Sequence, residues 1–280
     1  MTVGIVTDST AYLPEAVTSA LGIEVVPVQV VVDGQALDEL TGVTVGEVTA
    51  ALRAGKSVTT SRPNPEKFIA TYEQLINSGC DSIVSVHLSS ELSGTYESAF
   101  LASQKFQIPI RVIDSRAIAM MFGFAVETGA RMAQVGANVD EVEKAISARC
   151  LDSTIEFYVD TLEFLQRNGR ISNVRSRVGS ALSVKPLLHI KDGRVEQHEL
   201  VRTASKAVER LVQIAAERAK LKPSEIAVHH VDALDRANEV AQQLCELLDI
   251  PSVTVTPAGA VVGAHVGPGA VAVVVAPIVD

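Results

Sequence analysis

The chain has 280 residues, 47% of them hydrophobic but only 4% aromatic and none tryptophan, and its formal charge is −9. That length buries one large core or two ordinary ones, and an interior short of aromatics has to be filled by Val, Ala, Leu and Ile, which suits parallel α/β sheets. The acidic balance argues against nucleic acid as the main partner, and no apolar run reaches the length of a membrane span, Ala117 to Val126 and Gly269 to Val279 included.

In chain order, Val3 to Thr7 predicts a strand, followed by the cap residues Asp8, Ser9 and Thr10 and a helix opened by Pro14. Val25 to Val32 predicts one second strand, ended by Asp33-Gly34. A helix from about Thr44 to Ala54 leads to Thr60-Ser61-Arg62-Pro63-Asn64-Pro65, whose prolines predict a rigid turn before a helix near Glu66 to Ile76. Strand Ser82 to Val86, helix Leu92 to Phe106, strand Ile110 to Ile113 and helices from Ala117 to Arg149 complete an expected first domain over 1–155. Strands alternating with amphipathic stretches predict βαβ units and a mainly parallel sheet there. Around Ile155 to Arg177 the pattern changes, and a second, mixed α/β domain is expected over 156–280. It holds a hairpin about Asp192-Gly193, from Leu187 to Val201, and a helix from Ala204 to Lys220. Strand Glu225 to His230, helix Asp235 to Leu248 and strands Ser252 to Thr256 and Ala270 to Ala276 finish it.

Ser89, Ser90, Ser93 and Thr95 place four hydroxyls within seven residues at a predicted helix start. Capping needs one of them; the surplus, together with the unpaired N–H groups of a helix start, suits a carboxylate or phosphate held without a metal. Thr60 and Ser61 repeat that chemistry on the proline-stiffened turn. His265 precedes Val266-Gly267-Pro268-Gly269, where an imidazole donor stands beside glycines that allow close backbone approach. These segments suggest one polar mouth built from distant parts of the chain. Asp8-Ser9-Thr10 and Asp114-Ser115 each follow a strand and can line a crevice at the sheet's carboxyl ends, although capping explains them too.

His229-His230 with Asp232 looks like a metal site, but adjacent strand residues face opposite ways, so no metal is expected. Cys80, Cys150 and Cys245, odd in number and far apart, fit thiols in a reducing compartment, and the chain starts straight into a strand, so a cytoplasmic protein is expected. From Phe164 to Arg210 ten Lys and Arg face four acids, which makes that stretch +6 and the remainder −15. It suits an acidic partner or a merely solvated surface. Neither a phosphate-binding G-x-x-x-x-G-K-[ST] loop, a G-x-G-x-x-G after a strand nor a G-x-S-x-G elbow occurs. Ser93, His265 and an acid such as Asp114 could still converge as a triad.

These motifs resemble the DegV family, whose members include the fatty-acid-binding subunits of bacterial fatty acid kinase, over essentially the whole length. The likeness rests on Val6 to Thr10, Thr60-Ser61 with Pro63, Ser89 to Tyr96, Val112 to Ser115, Leu162 to Ile171, Lys185-Pro186 and His265 to Gly269 in order. It implies a two-domain DegV-like α/β fold, with the mainly parallel sheet N-terminal and the mixed α/β domain C-terminal. It further implies one long-chain fatty acid in an interior tunnel, its carboxylate near the domain interface on Thr60, Ser61, Ser93 and His265. Gly94 and Thr95 of the same loop are counted with these ligand contacts, Arg170 is expected near the head group, and Arg202 on a docking face. The implied partner is an ATP-binding fatty acid kinase subunit that phosphorylates the carboxylate to an acyl phosphate for phospholipid synthesis. The chain itself would then be a carrier without catalytic residues or cofactor, touching a membrane surface only transiently. Arg62 stands where the family often has Gln and Asn64 where it often has Ser, which puts a cation beside the head group. Asn168 replaces the first Gly of the usual Gly-Gly-Arg-Ile, a mild change because Asn tolerates positive φ. Met120, Met121, Phe122 and Phe124 are among the side chains on which the tunnel's shape is expected to depend. The rivals are a serine acyl hydrolase or acyltransferase using Ser93 and His265, and a lipid-responsive regulator.

Overall fold

The computed structural model describes residues 2–171 and 185–278; Arg175 and Arg177, two of the cations counted above, lie outside them. Strand β1 (Val3–Asp8) is buried along its whole length, as the apolar run Val3 to Val6 suits in a central parallel strand. Asp8 caps the 3-10 turn Ser9–Ala11 by accepting from the Thr10 N–H. Helix α1 (Glu15–Leu21) starts after Pro14 and ends on Gly22 at φ 64°. Where one strand was expected from Val25 to Val32 there are two, because Pro27 has no N–H to continue a ladder. β2 (Ile23–Val26) pairs with β1, while β3 (Gln29–Val32) leaves for another sheet. None of β4 (Gln35–Asp38) is buried, so it shows no apolar alternation in the sequence.

Helix α2 (Val45–Arg53) begins with a reciprocal Thr44–Glu47 capping box. β5 (Val58–Ser61) runs into the expected turn at Thr60 and Ser61 and completes an antiparallel sheet in the order β4-β3-β5. Helix α3 (Pro65–Asn77) carries its proline in the first turn, where the missing N–H does no harm. Then β6 (Ser82–His87), α4 (Thr95–Ser103) and β7 (Ile110–Asp114) finish an all-parallel sheet in the order β2-β1-β6-β7. Helices α5 (Met120–Gln134) and α6 (Val139–Asp152) close the first half.

The chain changes sheet at Ser153: β8 (Thr154–Tyr158) already belongs to the second sheet, so a limit drawn between 155 and 156 cuts a strand. After α7 (Glu163–Arg167) come β9 (Lys185–Lys191) and β10 (Arg194–Val201), the expected hairpin. Next follow α8 (Ala204–Ala219), β11 (Ser224–His230), α9 (Leu234–Leu248) and β12 (Thr254–Pro257). Helix α10 (Ala260–Val266) and β13 (Val271–Pro277) complete the fold. The strand order is β10-β9-β8-β13-β11-β12, antiparallel except for β11 with β12. One buried cluster joins the halves through Ile5, Val84 and Val86 of the parallel sheet, Phe122 and Phe124 of α5, and Ile155, Phe157 and Val274 of the second sheet. Among the described residues no helix is long and apolar enough to cross a membrane.

Candidate functional site

Four segments meet at one cavity that is partly open to solvent. β5 brings Thr60, the loop before α4 brings Ser93, the segment after α7 brings Arg170, and the last turn of α10 brings His265. The rest of the wall is largely apolar, with Leu88, Leu92, Ile155, Phe157, Ile190, Val195 and Val262 among its side chains.

At the polar end, Thr60 Oγ1 lies 2.8 Å from His265 Nε2, and Ser93 Oγ 2.9 Å from Thr95 Oγ1. Arg170 donates through Nε to the Leu92 carbonyl at 2.8 Å and through Nη1 to the Asn168 carbonyl at 2.7 Å. Among the described residues its charge is therefore held in place by backbone rather than neutralised by a carboxylate. Burial first, and then that positive charge, push His265 down to about 4, so the ring is neutral near pH 7. His265 Nδ1 is buried and has no hydrogen-bond partner among the described residues. The Thr60 hydroxyl can pair with either tautomer of this ring; in the one where it donates to Nε2, the single ring proton sits on Nδ1.

The other expected contacts fall beside the cavity rather than on it. Ser61 is the strand neighbour of Thr60, so it faces away and donates to Gln29 Oε1 at 3.3 Å. Thr95 is fully buried and supports Ser93. Gly94 makes room for a neighbour: a Cβ there would lie 2.8 Å from Arg62 Cδ, so the exposed Arg62 lies against the head-group loop. Arg202 is exposed at the bend between β10 and α8. Met120, Met121, Phe122 and Phe124 are buried in the shared core and none lines the cavity, since α5 turns its apolar faces to β1 and α6.

The surplus hydroxyls of the loop have structural partners. Ser89 donates to the Gly193 carbonyl at 2.7 Å, tying the loop to the β9–β10 turn, and Ser90 donates to Asp114 at 2.5 Å. Asp114 also accepts from the N–H groups of Ser90 and Arg116, so it orients this loop rather than His265. His229 accepts the Met120 N–H on Nε2 at 3.3 Å and donates from Nδ1 to Thr256 at 3.0 Å. His230 accepts the Ala233 N–H, and Asp232 pairs with Arg53. Each of the trio thus has protein partners, although His229 and His230 also line the cavity, and burial holds His229 down to about 4. Of the cationic stretch, Arg167, Arg194 and Arg210 are ion-paired with Glu163, Glu91 and Glu199.

Glu39 carried no sequence signal, yet it positions the site. Its buried carboxylate accepts from Ser9 Oγ at 2.5 Å, from Tyr12 Oη at 3.4 Å and from the Val261 N–H at 2.8 Å, while Tyr12 Oη accepts the Val262 N–H at 3.2 Å. Those N–H groups belong to the first turn of α10, where no helical carbonyl can reach them. One end of α10 is thus pinned to the start of the chain while the other presents His265. Burial raises the Glu39 carboxyl above its ordinary range and the Tyr12 phenol well above its own. An added Cβ at Gly259 would collide with both side chains. Glu39 and Val261 stand 222 residues apart, a pairing no local pattern could reveal.

A family model described as "Uncharacterised protein, DegV family" matches residues 2–277. A DegV domain-containing protein of Streptomyces coelicolor is 48% identical over 274 residues, 98% of each chain. Among solved structures, a DegV family protein from Thermus thermophilus, described by its fatty acid binding, superposes with a TM-score of 0.92 at 31% identity, covering 99% of this chain and 100% of the other. DegV of Bacillus subtilis, described as a fatty acid binding protein, gives 0.89 at 30% identity over 99% and 100%.

Proposed function

Because the chain belongs to the DegV family, we propose that it holds one long-chain fatty acid in this cavity, with the tail along the apolar wall and the carboxylate beside Thr60, Ser93, Arg170 and His265. The observation that carries this is a largely apolar cavity whose polar end combines a backbone-fixed cation with a buried ring nitrogen that has no partner among the described residues. An acyl tail of about 15 methylenes at roughly 0.8 kcal/mol each offers about 12 kcal/mol of gross transfer energy before the costs of association. The tail therefore supplies the affinity and the head group the orientation. An unsatisfied buried donor costs roughly 1–3 kcal/mol, and a carboxylate oxygen at His265 Nδ1 removes that cost. The likeness to proteins described as fatty-acid binding supports the ligand class.

The chain makes no covalent change in the lipid; it presents the carboxylate to an ATP-binding kinase subunit, with Arg202 on the docking face, and exchanges lipid at a membrane surface in the cytoplasm. Geometry favours this over a serine hydrolase: Ser93 bonds to Thr95, His265 Nε2 to Thr60, and no carboxylate among the described residues orients the ring. Denaturing extraction of the purified protein followed by mass spectrometry should yield about one equivalent of unmodified long-chain fatty acid. Lipid-free protein that also fails to take up added oleate would end the proposal, and fluorophosphonate labelling abolished by Ser93→Ala would replace it with the hydrolase. Arg202→Glu should weaken kinase-subunit binding and leave lipid content unchanged; loss of lipid instead would remove Arg202 from the docking face.

A further inference from the structure

Away from the lipid cavity, three adjacent strands each turn one metal-compatible donor toward the face covered by α8. Glu156 on β8 stands opposite His189 on β9, on the side where Tyr158 and Leu187 meet α8. A bulge between Gln197 and Glu199 adds a residue to β10, so that His198 and Glu199 both turn to that side. Glu199 there meets Arg210 of α8, and His198 meets Glu156.

We propose that Glu156, His189 and His198 form a binding site for a divalent transition-metal ion of the zinc type. His198 Nδ1 lies 2.8 Å from one Glu156 oxygen and His189 Nδ1 3.8 Å from the other, and the three donor atoms all lie within 4.8 Å of one another. The imidazoles stack with centroids 4.7 Å apart. The carboxylate is 3% exposed while the rings are 17% and 29% exposed, so the charge is buried and the nitrogens reach solvent, from which an ion and a water ligand arrive. The His189 ring makes no hydrogen bond among the described residues, and none of the three lines the lipid cavity.

One carboxylate oxygen and two imidazole nitrogens are a donor set that zinc takes with water in the fourth place. Donors about 2.1 Å from a tetrahedral ion stand about 3.4 Å apart, so the widest pair draws in by no more than about 1.4 Å, which rotation of two partly exposed rings supplies. The competing cation is Arg218 of α8, whose guanidinium lies 3.4 Å from Glu156 and is 39% exposed; Arg210 on the same helix is already taken by Glu199 and Glu217. A dication therefore displaces Arg218 to solvent and ties β8 to the β9–β10 hairpin.

Titrating the tag-free full chain with Zn²⁺ against a chromogenic chelator tests this. Binding of one ion per chain is expected, weakened at least tenfold in His198→Ala and in Glu156→Gln, and tightened in Arg218→Met because the competitor for the carboxylate is gone. Should Glu156→Gln misfold, His189→Ala at a partly exposed ring takes its place. Absence of one-to-one binding, or an affinity indifferent to all these substitutions, would overturn the site.

Discussion

Two histidines close to the hydroxyl-rich loop live in opposite circumstances. His87, at the end of β6, is fully buried, with Nδ1 3.2 Å from Asp8 and Nε2 2.7 Å from Ser85, whose hydroxyl in turn receives the Tyr72 phenol at 2.8 Å. Asp8 also accepts the Leu88 N–H and both the N–H and hydroxyl of Thr10. Aspartate, histidine and serine in contact suggest a hydrolase, but nothing reaches them: all three are 0% exposed. His265 has one nitrogen bonded to Thr60, the other without a partner among the described residues, and an apolar cavity alongside. A saturated polar cluster is scaffold, because every donor already has its acceptor; an incomplete one beside open space is where a ligand completes the pairing.

The sharpest way to break this contrast is Asp8→Ala. It strands the Leu88 and Thr10 donors and His87 in the interior, and the expected loss is about 3–5 kcal/mol of stability, read from the denaturant midpoint. A loss below about 1 kcal/mol would mean that the cluster is not scaffold.

Acid gives the next largest effect. His265 and His229 are each held down to about 4 by burial, so between about pH 6.5 and 4 the unfolded chain binds the protons that the fold refuses. Their contribution is complete above about pH 6.5 and is lost as pH falls toward 4, up to about 3 kcal/mol for each ring. Melting temperature should therefore drop across that window, and His265→Gln should flatten the drop. An unchanged slope in that variant would show that His265 is not held neutral.

The smallest effect separates site from scaffold most finely. Thr60→Val and Ser93→Ala should each change stability by less than about 1 kcal/mol, as removal of a partly exposed hydroxyl does. Lipid affinity, measured by displacement of a fluorescent fatty acid, should fall by tenfold or less, since the tail provides most of it. A hundredfold loss in either variant would mean that head-group bonds, not the apolar wall, govern affinity.

Strand and helix periods, the Asp192-Gly193 hairpin, and the Thr60, Ser89–Thr95 and His265 segments were legible in the chain, because each depends on residues a few places apart. The sequence also determined the family, through the order of those motifs. Tertiary structure alone decided that Thr60 and not its neighbour Ser61 faces the cavity, that Arg170 is anchored to backbone on two sides, and that Ser89 and Ser90 serve the scaffold. It also decided the parting of β2 from β3 at Pro27, and the helix α10 held by Glu39 where only a glycine turn was expected. The physical reason is the same throughout: a side chain's direction and its distant partner follow from which elements meet in space, and hydrogen bonds across two hundred residues leave no periodicity behind.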